Sequence, residues 1–312
     1  MKKIIVVLCL MALLTGCSEK PYLSESEGDP ISPVQDSTVI ASAAVMPLYF
    51  RYYDEPMLVR CPMTLDVSSQ HLPEYYAVEA LLSGPTGQSA DKTACFFKTA
   101  LVGVSDGRNC LNVTLSESFL ADTKGATDDE TFLNRRLALY SIVNTVCEMG
   151  TYAYVQIYLS DSGAVYRPQT YDMGLTKNPL DSMPLAPLSR NTSLILTPSG
   201  AARMALLHYA GQEWTKFYRY LGDRGTDSRK LPIVEEMAKE LDYLGLIMRE
   251  YSVEDGHTVS SDASSAQVQI TFRIRTATTS YTVSNAPLVL VNKQGTWLVD
   301  YESFRNLLEA TQ

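Results

Sequence analysis

The chain has 312 residues, of which 46% are apolar, and a formal net charge of −9 at pH 7. This length allows about two ordinary domains, and the apolar fraction is typical of globular proteins and argues against a disordered or fibrous chain. The pI near 4.9 argues against the basic surface that nucleic acid or an anionic membrane requires. We therefore expect no nucleic acid partner, and any membrane attachment must come from something other than charge.

Residues 1–17 have the composition of an export signal. Two lysines precede an apolar run from Ile4 to Leu14, which is too short to span a bilayer but suits the h-region of a signal peptide. The run ends in Leu14-Thr15-Gly16-Cys17, which resembles the lipobox of bacterial lipoproteins. The resemblance implies that Cys17 is lipidated, becomes the mature N-terminus and anchors an extracytoplasmic protein to the cell membrane. The alternative is an ordinary secretory signal with a cysteine at its cleavage site.

The cysteines bear on both the anchor and the fold. Of the six, Cys9 would leave with the signal and Cys17 would carry the lipid. The other four lie in one half of the mature chain: Cys61, Cys95, Cys110 and Cys147. Outside the cytoplasm such a set predicts two disulfides, with three possible connectivities, and the alternative is four separate buried thiols. Their spacings match no zinc pattern, so we expect no metal site.

Residues 18–44 are rich in Ser, Glu, Asp and Pro, and this composition predicts a flexible stalk. We expect a first domain over residues 45–165 after this stalk. Alternating apolar residues predict a β-hairpin over residues 48–61, a second hairpin over 101–115 and a closing strand over 155–159. Helices are predicted from Pro73 to Leu82 and from the capping box at Thr127 to about Glu148. The order ββαββαβ predicts an α+β layer with two helices on one face of a small sheet.

The segment 49–161 resembles a GerMN domain, a module of sporulation and spore-germination proteins. The motifs that carry the resemblance are Leu48-Tyr49-Phe50, the helix end Val78-Glu79-Ala80-Leu81-Leu82-Ser83-Gly84-Pro85-Thr86, the stretch Val113-Thr114-Leu115-Ser116-Glu117-Ser118-Phe119, and the strand Val155-Gln156-Ile157-Tyr158. The resemblance implies an extracytoplasmic lipoprotein in the envelope of a sporulating or germinating cell. It also implies a role in complex assembly or in cortex peptidoglycan metabolism.

Residues 166–192 contain four prolines and predict a linker to a second domain of residues 193–312. Apolar spacing predicts one long helix over 199–221 and a second helix that starts near Pro232 and carries Met248 on its apolar face. Period-two alternation then predicts strands over 267–275, 288–291 and 297–301, before a final helix. Helices followed by an antiparallel sheet resemble the nuclear-transport-factor-2-like (NTF2-like, cystatin-like) α+β cone.

Several residues invite a catalytic interpretation. Ser105 lies in a G-x-S-x-G match, but that motif requires a strand that leads into a helix, and here a second strand follows. We therefore interpret Asp106-Gly107 as a hairpin turn. The three histidines lie far apart in sequence, at His71, His208 and His257. Asp300 and Tyr301 could line the mouth of a cone, whereas an aspartate at a strand end more often faces solvent.

Two classes of function remain open. We favour a non-enzymatic interaction module without catalytic residues or cofactors, because no nucleophile or acid–base constellation is visible. Its expected partners are the membrane, through the lipid, and envelope proteins or peptidoglycan-related machinery. The alternative is a ligand-binding or catalytic lipoprotein with a pocket in the C-terminal domain. Converging polar groups in such a pocket would favour the alternative, and a filled C-terminal core with an exposed sheet in the first domain would favour interaction.

Overall fold

The computed structural model describes residues 42–86, 91–96, 98–121, 127–223, 230–254, 257–258, 263–275 and 279–310. These residues belong to one compact unit that spans Ile40–Gln312. The expected signal sequence, Cys17 and the stalk up to residue 41 lie outside the described residues. No helix in the described part of the chain is long and apolar enough to cross a membrane.

The first sheet is built around the first strand. Strand β1 (Ser42–Tyr52) pairs antiparallel with β2 (Leu58–Val67), and the short β3 (Lys92–Thr93) pairs with the other side of β1. The hairpin expected over residues 48–61 is therefore confirmed. Residues 42–44, which the sequence placed in the stalk, form the start of β1.

The second sheet has four strands in chain order: β4 (Leu101–Asp106), β5 (Cys110–Ser116), β6 (Tyr154–Asp161) and β7 (Ala164–Tyr166). The pair β4 and β5 is the expected hairpin, and β6 is the expected closing strand. Strand β6 runs parallel to β5, because a helical crossover connects them. Strand β7 was not predicted, because three residues are too few to display an alternating pattern.

Two helices cover one face of the second sheet. Helix α1 (Pro73–Ser83) and helix α2 (Asp128–Met149) follow the expected bounds closely. At the start of α2 the Thr127 hydroxyl accepts a hydrogen bond from the Glu130 amide, and the Glu130 carboxylate accepts one from the Thr127 amide, so the capping box is confirmed. Buried side chains of both helices share one apolar core with the inward side chains of β5 and β6. The predicted α+β class is therefore confirmed, but the strands form two sheets and not the one small sheet that was expected.

The C-terminal half places helices before most of its strands. In chain order it contains α3 (Pro198–Ala210), α4 (Trp214–Arg219), β8 (Leu221–Gly222), α5 (Val234–Leu244), β9 (Ile247–Val253), β10 (His257–Thr258), β11 (Ser265–Arg275), β12 (Ser280–Lys293), β13 (Thr296–Asp300) and α6 (Tyr301–Glu309). The sheet has the order β10-β11-β12-β13-β8, and β9 also pairs with β11. The expected α+β class and the final helix are confirmed.

Two helix predictions in this half were wrong. The helix expected over 199–221 is broken after Ala210, because Gln212 adopts a left-handed φ of 55°, which an α-helix cannot contain. The helix expected to include Met248 ends at Leu244, because Gly245 takes the left-handed capping conformation. Met248 lies instead in β9. The apolar pattern of this short strand is compatible with the helical period of 3.6 residues as well as with the strand period of two.

The predicted linker lies against the first core. Within residues 166–192, Met173 and Leu185 are buried among the apolar residues of α1, α2 and β6. The backbones of Val155 and Leu188 exchange two hydrogen bonds of 2.8 and 2.9 Å, so this segment extends the pairing along β6. The segment therefore adds to the first core.

The four cysteines expected to form disulfides are free thiols in the structure. Cys61 lies on β2 and Cys95 follows β3, and these strands flank β1 on opposite sides. Two strand spacings amount to about 9–10 Å, whereas a disulfide requires Cα atoms about 4.4–6.8 Å apart, so this geometry argues against a Cys61–Cys95 disulfide. Burial raises the pKa of all four thiols, and raises that of Cys95 to about 12. These thiols are therefore poorly nucleophilic at neutral pH.

Alkylation distinguishes four thiols from two disulfides. Without reductant we expect iodoacetamide to label Cys95 slowly in the folded protein, because its buried thiol is protonated at neutral pH. In denaturant, still without reductant, all four cysteines should be labelled, as read by peptide mass spectrometry. Failure to label any of them in denaturant until a reductant is added would restore the disulfide interpretation.

The turn between β12 and β13 touches the first sheet. At Gly295 a Cβ atom would overlap with the Arg60 carbonyl oxygen, and the φ of this glycine is +88°. We expect Gly295→Ala to lower the free energy of unfolding by about 2–4 kcal/mol, through backbone strain and overpacking. Urea denaturation measures the loss. Gly163→Ala is the matched control, because Gly163 has a φ of +91° and no neighbouring atom within 4 Å of the added carbon. Equal losses in the two variants would contradict the contact.

Candidate functional site: an open sheet face beside a shared junction

The second sheet has one covered face and one open face. Leu111, Val113 and Leu115 of β5 point into the core, so the alternate residues of β5 point the other way. The strand register places these side chains on that opposite face, which we call the open face: Ser105, Asn112, Thr114, Tyr154, Tyr158 and Val165. All six are exposed or half-buried, because both helices pack on the other side.

The open face combines polar groups with exposed rings. Tyr154 is 45% exposed and Val165 is 56% exposed, whereas Asn112 and Thr114 on β5 are half-buried. Tyrosine offers both apolar area and a hydrogen-bonding hydroxyl, and it is enriched in protein interfaces. Gln156 shares this row, but its side chain is buried and its Nε2 atom donates 3.0 Å hydrogen bonds to the carbonyl oxygens of Ile157 and Leu185. One side of the open face is therefore bounded by the segment around Leu185.

The two apolar cores meet at the closed end of the β1–β2 hairpin. Tyr52 and Val59 lie on strands of the first sheet, yet their side chains pack in the core of the C-terminal half. The Tyr52 hydroxyl donates a hydrogen bond to the Arg219 carbonyl oxygen, and the Leu196 amide donates one of 2.8 Å to the Leu58 carbonyl oxygen. These contacts join the open face and the C-terminal half in one folded body.

Charged groups surround this junction. The Arg219 guanidinium lies 2.5 Å from the Asp54 carboxylate and 4.5 Å from the centre of the Tyr53 ring. His208 is 4% exposed; its Nδ1 atom lies 2.6 Å from Glu213 Oε2 and its Nε2 atom 3.7 Å from Glu55 Oε1. The hydrogen bond with His208 lowers the pKa of Glu213. His208 therefore holds a structural position between two carboxylates at the junction.

A second charged cluster ties α2 to both neighbouring segments. Glu148 in the last turn of α2 contacts Arg60 of β2 at 2.5 Å and Arg190 at 2.6 Å, and the Tyr49 hydroxyl donates to it as well. Burial acts to raise the pKa of Glu148, but the hydrogen bonds from Tyr49 and Arg60 prevail and lower it. The pKa of Tyr49 is raised to about 12, mainly by burial and secondly by the hydrogen bond to Glu148. The carboxylate is therefore held ionised as a structural anchor.

The inner face of the C-terminal sheet is packed with apolar side chains. Val268, Ile270, Phe272 and Ile274 of β11 are at most 2% exposed and lie against the helices of that half. A cavity of about 280 Å³ beside the sheet is lined mainly by outward polar residues of β9, β11 and β12, including Glu250 and Arg273. In the part of the chain that the structure describes, the interior of this half is therefore occupied by its own side chains.

The residues that invited a catalytic interpretation lie on separate elements. Ser105 is exposed on β4, and the chain continues through a turn into β5 rather than into a helix. His71 stacks on Tyr75 at 4.1 Å, and His257 lies on β10. Asp300 is buried and accepts a hydrogen bond from the Ser303 amide at the start of α6, so it acts as a helix cap. The Tyr301 hydroxyl donates to Glu240.

Sequence reasoning did not single out Tyr154 and Tyr158. The sequence did indicate that these two side chains point outward, because they alternate with Val155, Ile157 and Leu159 along one strand. That alternation indicates an outward face, but only the pairing with β5 places Tyr154 opposite Cys110 and Tyr158 opposite Thr114.

No curated protein sequence matches the chain. The tandem GerMN domains of the sporulation protein GerM from Bacillus subtilis are 16% identical, with a TM-score of 0.33, and the match covers 53% of this chain and 49% of that one. The chain thus spans about half the length of that solved structure. A protein from Clostridium perfringens that is classed provisionally as a lipoprotein is 15% identical, with a TM-score of 0.24, over 40% of this chain and 87% of that one. An LEH-like epoxide hydrolase from M. tuberculosis is 14% identical, with a TM-score of 0.22, over 36% of this chain and 89% of that one.

A family comparison bears directly on the first domain. Residues 47–162 match the family described as "Germane: Sporulation and spore germination". The match covers the segment that resembled a GerMN domain, so this resemblance is confirmed. Over residues 47–162, less than half of its length, the chain is therefore similar to the Germane family of sporulation and spore germination.

Proposed function

We propose that the protein acts in sporulation or spore germination as a membrane-anchored interaction module of the cell envelope. The open face carries this proposal, because it is a sheet surface with two tyrosines in the region that is similar to the Germane family. Such a face can receive a partner strand, loop or helix without any change in the core. Its role is complex assembly or support of the machinery that acts on cortex peptidoglycan, and it does not include catalysis.

The lipid anchor is the second part of the proposal. Leu14-Thr15-Gly16-Cys17 places an acceptor cysteine directly after a signal-like apolar run. A diacylglyceryl group on Cys17 would hold the chain at the outer side of the cell membrane, since dual acylation gives stable attachment. Confinement there raises the effective concentration of the open face toward other membrane-bound proteins. An extracytoplasmic location follows from the same export signal.

A pocket-based function in the C-terminal half receives less support. The inner face of that sheet is filled by residues such as Phe272, and Asp300 caps a helix. An enzyme would need ionisable groups gathered around a space that a substrate can enter. The six residues with catalytic potential that the sequence offered are dispersed over the fold, so the non-enzymatic role is the better inference.

Lipidation is tested at its acceptor. We expect radiolabelled fatty acid to enter the wild-type protein in growing cells and not Cys17→Ala, because the thiol of Cys17 is the attachment site. Cys9→Ala is the control, since Cys9 would leave with the signal peptide. Equal labelling of Cys17→Ala and the wild type would rule out this anchor.

The open face is tested by complementation in the source organism. We expect Tyr154→Ala combined with Val165→Asp to abolish rescue of a deletion strain, measured as heat-resistant spore counts and germination rate. Both side chains are exposed, so the free energy of unfolding should change by only about 0.5 kcal/mol per substitution. The protein should therefore accumulate normally at the membrane.

Two controls sharpen this test. Tyr243→Ala removes a tyrosine that is 91% exposed on α5, away from the open face, and should leave rescue intact. His71→Ala should also leave it intact, since this imidazole is not required for catalysis. Full rescue by the open-face variant, or loss of rescue in folded His71→Ala protein, would contradict the proposal.

A further inference from the structure

A cavity of about 280 Å³ lies beside the first turns of α2. One helix stripe forms its floor, with Asp129, Phe132, Leu133 and Arg136 at helical spacing. Residues 174–177 form a wall, and Pro56 from the β1–β2 turn contributes to the rim. The cavity therefore lies where helix α2, the segment 166–192 and the hairpin turn meet.

The walls of this cavity are fixed by close packing. At Gly174, whose φ is +72°, a Cβ atom would overlap with the Phe132 carbonyl oxygen, so the loop lies directly on the helix backbone. The Tyr171 ring packs edge-on against the Phe132 ring at 5.0 Å. The exposed ion pair of Lys177 with Asp129 adds a weaker contact across the mouth. The cavity is therefore preformed, and a ligand would not have to order the loop.

Arg136 is the unusual residue of this cavity. Its Nε atom is buried and has no hydrogen-bond partner among the described residues. Arg51, on the neighbouring strand, donates from all three guanidinium nitrogens: to the Glu55 and Asp54 carbonyl oxygens and to Asn134 Oδ1. Burial of part of a charged group without a partner is costly, and an anion that pairs with the guanidinium would lower that cost by balancing its charge.

The charges and size of the cavity select the kind of anion. The charged lining residues are Arg136, Lys177 and Asp129, so their formal charges sum to +1. A single negative charge balances this sum, which favours a carboxylate over a phosphate dianion. The planar guanidinium also matches the two oxygens of a carboxylate. Phe132, Leu133 and Leu175 supply apolar walls. The volume, near the lower limit for ligand sites, suits a carboxylate on a short apolar stem.

We propose that this cavity is a binding site for a carboxylate group on a short apolar stem, with Arg136 as its recognition residue. The carboxylate belongs to a small molecule or to an acidic side chain of a partner protein. The site is separate from the open face and does not depend on the function proposed for that face.

Binding is measured by saturation-transfer difference NMR on the full-length protein in detergent, with butyrate as the probe. We expect a dissociation constant on the order of 1 mM, which suits one charged contact with a small apolar group. Arg136→Gln should weaken binding roughly tenfold or more, because it removes a charge-assisted pair. Arg136→Lys should recover only part of the loss, since an ammonium cannot offer the paired donors.

Arg167→Gln is the matched control. It removes the same charge from an exposed position in the same half of the protein and should leave butyrate binding unchanged. Thermal unfolding of each variant establishes that it is folded, and we expect Arg136→Gln to unfold at or above the wild-type temperature. Absence of saturable butyrate binding to the wild type, or equal losses in Arg136→Gln and Arg167→Gln, would overturn the proposal.

Two further probes identify the anion and its source. Inorganic phosphate should compete with butyrate weakly, and phosphate binding tighter than butyrate would overturn the assignment to a carboxylate. A blocked tripeptide with one central glutamate represents the side chain of a partner. Tighter binding of the peptide than of butyrate would support a protein source, and the reverse order would support a small molecule.

Discussion

Burial of the Tyr52 side chain is the contact on which the arrangement of this protein depends. The residue ends a strand of the first sheet, yet its ring lies in the core of the C-terminal half, 5.3 Å from the Tyr220 ring. Its hydroxyl donates to the Arg219 carbonyl oxygen, so the buried oxygen has a partner. Val59 on the paired strand packs in the same core. Separation of the hairpin from the C-terminal half would therefore expose apolar surface of the hairpin and of that core to water.

This shared hairpin also orders the segments around it. The turn between Tyr52 and Leu58 carries Asp54 and Glu55 toward Arg219 and His208, and its Pro56 forms part of the cavity over α2. On the other side, residues 166–192 lie against the first core through Met173 and Leu185. The open face and the Arg136 cavity are thus held on a rigid support, which lowers the entropic cost of binding at either place.

The two surfaces differ in the physical basis of recognition. The open face offers area, tyrosine rings and hydroxyl groups, which suit a macromolecular partner held by many contacts. The Arg136 cavity offers one guanidinium group in a small preformed space, which suits a single functional group of a ligand. Neither requires a nucleophile or a proton-transfer group. Raised thiol pKa values at Cys61, Cys95, Cys110 and Cys147 fit this picture, because protonated thiols are structural and poorly reactive.

The sequence alone determined the local elements and the class of the first domain. Alternation, the capping box at Thr127 and the helix end at Gly84 depend on neighbouring residues, so the hairpins and helices of residues 45–165 could be predicted. Only the tertiary structure decided the rest. The helix break at Gln212 depends on a backbone angle, and the strand at Met248 depends on long-range pairing. The apolar spacing around both residues predicted helices instead. Strand register brought Tyr158 beside Thr114, and packing left the Nε atom of Arg136 buried without a partner among the described residues. These features arise from residues distant in sequence, and no local pattern encodes them.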